Sequence, residues 1–168
     1  MKLLLVVNPI SGGVDKEPFL KEAKRVLDKF GIEYQVFKTS GKDDAANLNE
    51  VMGTFQPDKV ASIGGDGTTL FCGIALLGSG IPMGIIPMGS ANGMAMELEV
   101  NSTPIYALND LLVSKYIRDL DIIQINDEHY CLHIGDVGIN AQIVDKYSKD
   151  KNRGMMTYAK YFTQEILA

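Results

Sequence analysis

Residues 60–71 read VASIGGDGTTLF, and this stretch decides the fold. An apolar run typical of a buried strand ends at two glycines, and an aspartate and a third glycine follow. A helical pattern then begins at Thr68. Because ligands in an open parallel sheet bind beyond the carboxyl ends of the strands, the stretch predicts a strand, a binding loop and a helix in direct succession.

The rest of the first two thirds of the chain repeats this alternation. Four short apolar strands are predicted, at 3–7, 33–37, 59–63 and 82–86. Helical patterns separate and follow them, at 16–30, 43–52, 68–77, 91–97 and 104–112. Alternating strands and helices indicate βαβ units. We therefore expect an α/β fold, with a Rossmann-like parallel sheet and helices on both faces, in a domain spanning residues 1–116.

The pattern changes after Tyr116. Segments 118–126 and 129–139 alternate between polar and apolar residues and are joined by the turn-prone NDEH. We expect an antiparallel hairpin that begins a β-rich second domain over residues 117–168. Two or three strands are too few to close a β-sandwich, so this second domain is expected to be incomplete.

Composition limits the classes of function. Apolar residues make up 46% of the chain and charged residues 22%, which is typical of a soluble globular protein. A net charge of −5 argues against nucleic acid as the main partner. No apolar run approaches the roughly 18 residues of a membrane span. Cys72 and Cys131 lie far apart in apolar settings, which suits free thiols in a reducing cytoplasm.

Two weaker features are assigned no function. His129 and His133 have no third ligand nearby, so a metal site there is not expected. The basic stretch 145–154 also contains acidic residues, which favours a solvated loop over a surface for anionic lipid. Residues 155–166 are predicted to form a final helix.

Three loops that follow predicted strands are rich in glycine and small polar residues: NPISGG (8–13), GGDGTT (64–69) and PMGSAN (87–92). Glycine lets the backbone approach an oxyanion closely, and the helix after residue 68 adds unpaired N–H groups. The three loops predict a phosphate site. No P-loop lysine pattern is present, and Leu70 stands where the dinucleotide pattern needs its third glycine.

Asp66 is the acidic residue among these glycines. A carboxylate repels a phosphate bound by the same amides unless a Mg²⁺ ion lies between them. The alternative is that Asp66 caps the helix that follows. The residues alone leave both readings open.

NPISGG, GGDGTT and IIPMGSANGMA (85–95), in this order and at these spacings, resemble the diacylglycerol kinase catalytic domain. That superfamily includes sphingosine, ceramide and bacterial lipid kinases. RDLDIIQIN (118–126), GDVGINAQIV (135–144) and RGMMTYAKYF (153–162) extend the resemblance over nearly the whole chain. The GGDGT signature is shared with NAD kinases and phosphofructokinases, whereas the three loops together are much more specific.

The resemblance implies roles for particular residues. Those implied to bind ATP are Asn8, Pro9, Ile10, Ser11, Gly12, Thr39, Gly64, Gly65, Asp66, Gly67, Thr68, Thr69, Ser90 and Asn92. Asp66 and Asp121 are implied to be catalytic and to bind Mg²⁺. Two departures each remove a carboxylate: Phe71-Cys72 stands where the family often has Glu, and Asn92-Gly93 replaces its common Asn-Asp pair.

The resemblance also implies a reaction, which is transfer of the γ-phosphoryl group of ATP to a lipid hydroxyl such as that of diacylglycerol. Such an enzyme serves phospholipid synthesis from the cytoplasm and meets its lipid at the inner membrane face; a homodimer is left open. The alternatives are an NAD-kinase-like enzyme with a soluble acceptor and a nucleotide-binding module without turnover. Such kinases continue beyond residue 168, where their general base lies. We therefore expect the chain alone to bind Mg·ATP weakly and to phosphorylate no lipid.

Overall fold

A computed structural model describes residues 1–132, 139–150 and 155–166, which fall in two units, Met1–Leu132 and His133–Ala168. The strands of the first unit are β1 (Lys2–Val7), β2 (Glu33–Lys38), β3 (Lys59–Gly64), β4 (Met83–Pro87), β5 (Ile123–Ile125) and β6 (His129–Cys131). Its helices are a 3-10 turn at Ser11–Gly13, α1 (Glu17–Lys29), α2 (Asp44–Phe55), α3 (Asp66–Ala75), α4 (Gly93–Glu97) and α5 (Pro104–Val113). The second unit contains α6 (Ile139–Lys149) and α7 (Met155–Ile166).

Four parallel strands form the main sheet in the order β2-β1-β3-β4. Near the C-terminal ends of the strands, Val7 pairs with both Lys38 and Ile63, and Ile63 pairs with Ile86. The C-terminal ends of all four strands therefore lie side by side. The predicted α/β fold with a parallel sheet is confirmed.

The core explains why β1 reads as an unbroken apolar run. Leu3, Leu5 and Val7 face one side and pack with α1 and α5, whereas Leu4 and Val6 face the other side and pack with α2 and α3. All five side chains are fully buried. Because helices cover both faces, neither face of this strand can be polar.

The hairpin after residue 117 is much shorter than expected. β5 and β6 pair antiparallel, but each has three residues, and no strand is formed at 118–122. Among the described residues, β5 has only β6 as a partner, so residues 118–122 have no ladder to extend. Of the strand predicted at 129–139, residues 129–131 do form β6, but Ile139 begins α6; residues 133–138, and with them His133, lie outside the described part.

The second unit is helical where it is described. α6 and α7 pack together, and the rings of Tyr147 and Tyr158 meet edge to face with centroids 6.0 Å apart. The loop expected at 145–154 was therefore wrong for residues 145–149, which belong to α6. Asp145 and Lys149 form an ion pair of 2.6 Å one helical turn apart, a spacing that supports a helix. Residues 151–154 lie outside the described part.

Both cysteines are free thiols, with Cys72 buried and Cys131 half-buried. Of the helices that the structure describes, none has the length and apolar character needed to cross a bilayer.

Candidate phosphate-binding site

A cavity of about 440 Å³ opens at the carboxyl edge of the main sheet. Its wall is formed by the segments that follow β1, β2 and β3. The lining residues are Asn8, Pro9, Ile10, Thr39, Ser40, Gly41, Asp44, Gly67, Thr68 and Phe71. Six of the expected ATP-binding residues are therefore brought together here: Asn8, Pro9, Ile10, Thr39, Gly67 and Thr68.

Thr68 is the polar group on this wall that most clearly lacks a partner. It lies in the first turn of α3, its side chain is buried, and Oγ1 makes no hydrogen bond within the protein. The first N–H groups of a helix also have no intrahelical acceptor. The Thr68 hydroxyl is turned toward Gly64 and away from the cavity. The positive end of the ten-residue helix α3 does lie at the cavity, which fits a phosphate group.

Asp66 opens α3 but caps a different helix. Its Oδ2 accepts a hydrogen bond from the Gly93 N–H at 3.0 Å, and its Oδ1 accepts one from the Met94 N–H at 2.8 Å. The carboxylate thereby ties the GGDGTT loop to the N-terminus of α4. An ionised carboxylate can accept about four hydrogen bonds, so lone pairs remain on Asp66 for a metal.

The glycines of the three loops pack against one another. A Cβ on Gly65 would lie 3.1 Å from the Gly89 Cα, and one on Gly12 would lie 2.8 Å from the Met88 carbonyl oxygen. Gly12 also has a φ of +63°, which disfavours any other residue. By contrast, a Cβ on Gly67 would have no atom within 4 Å. At Gly12, Gly65 and Gly89 the need for glycine comes from contact between loops, in addition to any approach by a ligand.

The remaining expected residues support these loops. Ser11 Oγ donates to the carbonyl oxygens of Asn8 and Met88, both at 3.3 Å. Asn92 bridges Gly89, accepting from its N–H at 2.8 Å and donating to its carbonyl at 3.0 Å. Thr69 Oγ1 donates to the Gly65 carbonyl at 3.3 Å, and Ser90 is exposed. Gly64 is buried at the end of β3, where a Cβ would overlap the Thr68 side chain.

The structure adds residues to the site that the sequence did not suggest. Asp44, at the start of α2, accepts hydrogen bonds from the Ser40 N–H and the Gly41 N–H, both at 2.8 Å, and from Ser40 Oγ at 3.0 Å. These hydrogen bonds lower the pKa of the Asp44 carboxyl, and the bond from the Ser40 N–H has the largest effect. Phe71 contributes an aromatic ring to the wall where the family often has a carboxylate.

Asp121 is exposed, in the segment between α5 and β5. It does not line the cavity of about 440 Å³. Within the described ranges, no group of three or more His, Cys, Asp or Glu side chains is placed to hold a metal ion. Asp66 does not line this cavity either, although it directly precedes Gly67, which does. Mg²⁺ at nucleotide sites usually takes one or two carboxylates together with substrate phosphates, so a metal site at Asp66 stays a prediction.

This arrangement is that of an α/β protein with a parallel sheet, in which interlocked glycine loops and a helix N-terminus lie at the C-terminal ends of the strands. Residues 2–125 match the model of the diacylglycerol kinase catalytic domain family. The chain belongs to this family.

Relatives point to the same family. The chain is 29% identical over 160 residues to a diacylglycerol kinase of Bacillus subtilis (strain 168), covering 92% of this chain and 52% of that protein. It is 30% identical over 142 residues to a "Probable lipid kinase YegS-like" of Klebsiella pneumoniae (strain 342), covering 83% and 46%. A crystal structure of a diacylglycerol kinase from Bacillus anthracis (strain Sterne) is similar with a TM-score of 0.65 at 26% identity, over 84% of this chain and 50% of that one. The chain thus spans about half the length of these relatives.

Proposed function

We propose that this chain binds Mg·ATP in the cavity of about 440 Å³ and forms the nucleotide-binding part of a lipid kinase. One observation carries the proposal: the segments after three parallel strands share a cavity that the first turn of α3 lines with Gly67 and Thr68. Membership of the diacylglycerol kinase catalytic domain family supports ATP as the phosphoryl donor.

The roles of the residues follow from their positions. The first N–H groups of α3 hold phosphate oxygens, and Asn8 and Thr39 contribute polar groups to the cavity wall. Mg²⁺, when bound, neutralises phosphate charge. Asp66 is proposed to face it, with Asp121 as the second acidic candidate. Phosphoryl transfer needs little covalent chemistry from the protein, so positioning of the phosphates is the main contribution of these loops.

The proposed acceptor is a lipid hydroxyl such as that of diacylglycerol, met at the inner membrane face by a cytoplasmic protein that serves phospholipid synthesis. A second cavity, of about 590 Å³, is mainly apolar in its lining but includes Lys59 and Met83, the first residues of β3 and β4. It therefore lies at the opposite edge of the sheet from the glycine loops. We assign it no part in the transfer.

A pair of matched substitutions tests the nucleotide site. Thr39→Val replaces a hydroxyl on the cavity wall by a methyl group, and Ser62→Ala removes a buried hydroxyl in β3, away from the cavity lining. We expect Thr39→Val to weaken Mg·ATP binding about tenfold or more in calorimetric titration, whereas Ser62→Ala leaves it unchanged. Equal affinity in both variants would remove Thr39 from the site.

The acceptor is tested separately. Labelled ATP is incubated with the 168-residue chain, and in parallel with a protein in which the chain is extended to the length of its relatives, against lipids in mixed micelles and against NAD. Phosphorylated lipid supports the proposal. Phosphorylated NAD supports the soluble-acceptor alternative, and ATP binding without any product supports a module without turnover.

A further inference from the structure

Lys16 is a buried lysine directly before α1, with 3% of its surface exposed. Its Nζ donates to the carbonyl oxygen of Ser11 at 2.6 Å and to that of Val14 at 2.7 Å. Across the described ranges, no carboxylate lies within 4 Å of this ammonium group. The charge of Lys16 is therefore buried against backbone carbonyls of the NPISGG loop.

A buried ammonium group of this kind does not by itself stabilise the folded protein. Burial lowers the pKa of Lys16, and the nearby charge of Asp15 offsets this only in part. A buried charge is generally no more stabilising than an apolar side chain of similar volume. A lysine at this position therefore indicates a role besides packing.

The two carbonyls that Lys16 holds determine where the neighbouring N–H groups point. In a trans peptide the C=O and the following N–H point in opposite directions. With the Ser11 carbonyl turned toward the ammonium, the Gly12 N–H is turned away from it. On its other side the same loop is fixed by Ser11 Oγ on the Met88 carbonyl and by the contact of Gly12 with that carbonyl.

We propose that Lys16 is the positioning residue for phosphate binding by the NPISGG loop: it fixes the backbone of the loop whose first residues, Asn8, Pro9 and Ile10, line the cavity, and its buried charge attracts the phosphates through the loop. This inference rests on the proposed nucleotide site. Lys16 would thus place a positive charge next to the phosphate-binding loop, although the sequence lacks the P-loop pattern and its lysine.

The test compares Lys16→Met with Lys24→Met. Both remove one positive charge, but Lys24 is exposed on α1. Affinities for Mg·ATP, Mg·ADP and adenosine are measured by NMR titration. We expect Lys16→Met to weaken ATP and ADP about ten- to one-hundredfold and to leave adenosine unchanged, because only the phosphates contact the loop. Lys24→Met should bind all three like the parent protein.

The outcomes separate the two proposals. If the parent protein binds Mg·ATP and Lys16→Met binds it equally well, or loses adenosine and ATP to the same degree, the inference about Lys16 is wrong and the nucleotide site stands. If the parent protein binds no nucleotide, the proposed function itself is wrong, and the inference with it.

A measurement without substitution covers the case in which Lys16→Met does not fold. In protein labelled with ¹³C at lysine Cε, the Lys16 resonance should shift on addition of Mg·ADP and remain in place with adenosine. An unmoved resonance at saturating Mg·ADP would overturn the inference.

Discussion

Gly65 and Gly89 meet backbone to backbone, so that a Cβ on Gly65 would lie 3.1 Å from the Gly89 Cα and one on Gly89 would overlap the backbone of Gly65. The two loops thus approach more closely than any side chain permits. Asn92 fixes Gly89 through two hydrogen bonds. Two of the family's signature loops therefore form one packed unit, and this unit can be disturbed separately from the cavity.

Gly89→Ala should destabilise the protein. The added methyl group meets backbone that cannot move aside without breaking the Asn92 bridge, and overpacking of this kind typically costs about 1–3 kcal/mol. Urea unfolding measures the change in the free energy of unfolding. An unchanged midpoint would show that the loops separate easily.

Gly67→Ala is the matched control, because a Cβ there meets no atom within 4 Å. Gly67 lies inside α3, where alanine is favoured over glycine by about 0.8–1 kcal/mol. Stability should therefore hold or rise, while Mg·ATP binding weakens, since Gly67 lines the cavity. Normal nucleotide affinity in Gly67→Ala would place the phosphates elsewhere.

Asp66→Asn should affect both stability and metal dependence. Each carboxylate oxygen accepts a different N–H of α4, and an amide NH₂ cannot accept, so one of the two bonds is lost. We expect a destabilisation of about 1–2 kcal/mol, the usual range for a lost helix cap. Mg²⁺-dependent ATP binding should also fall.

The control for this substitution is Asp110→Asn, which removes the same charge from an exposed position on α5. Denaturant unfolding and ATP titration with and without Mg²⁺ are run on both variants. A loss of stability with undiminished Mg·ATP affinity would leave Asp66 as a cap of α4 alone.

Asp44 should make stability depend on pH. Its pKa in the folded protein is lowered from 3.8 by hydrogen bonds from Ser40 and Gly41. The ionised form therefore stabilises the fold above the unfolded pKa, and this contribution is lost as the pH falls through the folded pKa. The stability difference between the parent protein and Asp44→Asn should be constant near neutral pH and shrink in acid.

Urea unfolding between pH 6 and pH 3 measures this difference. Asp43→Asn serves as the control, because it removes an adjacent charge at a left-handed position that Asn tolerates. If the Asp44→Asn difference does not change with pH, the hydrogen bonds to its carboxylate contribute nothing to folding.

The two cysteines should differ in reactivity. Burial raises the pKa of the Cys72 thiol to about 12, an effect that the neighbouring Ser62 hydroxyl offsets only in part. The thiolate is the reactive form, so Cys72 should resist thiol reagents at neutral pH until the protein unfolds. A chromogenic disulfide reagent should titrate Cys131 first. Fast labelling of Cys72, located by mass spectrometry, would contradict its burial.

The central strands β1 and β3 could be predicted from the sequence because they are buried on both faces. Residues 3–7 are all apolar for that reason. The bounds of the short strands β5 and β6 could not be predicted in this way. The alternation of polar and apolar residues over 118–126 includes exposed residues outside any strand as well as the strand β5. Hydrophobic periodicity indicates which residues would share one face of a strand, but it does not indicate whether a neighbouring strand is present to pair with it.

The site was predicted in part. Glycine-rich loops after parallel strands are visible in the sequence, and the family resemblance pointed to Asn8 and Thr68 within them; the structure places both in the cavity wall. That Asp66 caps α4 could not be foreseen, because the contact joins residues far apart in the chain. Lys16 gave no signal either, since the burial of a lysine depends on the tertiary fold. Asp44 could have been predicted from the sequence. A serine followed four residues later by an aspartate at the start of a helix, as at Ser40 and Asp44, is a local capping pattern.

The central position of β1 has a consequence for synthesis of the chain on the ribosome. Of the described strands of the main sheet, β1 is synthesised first and is the most apolar, yet its partners are β2 and β3, which end at Lys38 and Gly64. A nascent chain in which β3 has not yet emerged therefore exposes an apolar strand with at least one edge unpaired. We expect translational pauses or chaperone binding in this window to influence the yield of soluble protein more strongly than pauses after β4 is complete.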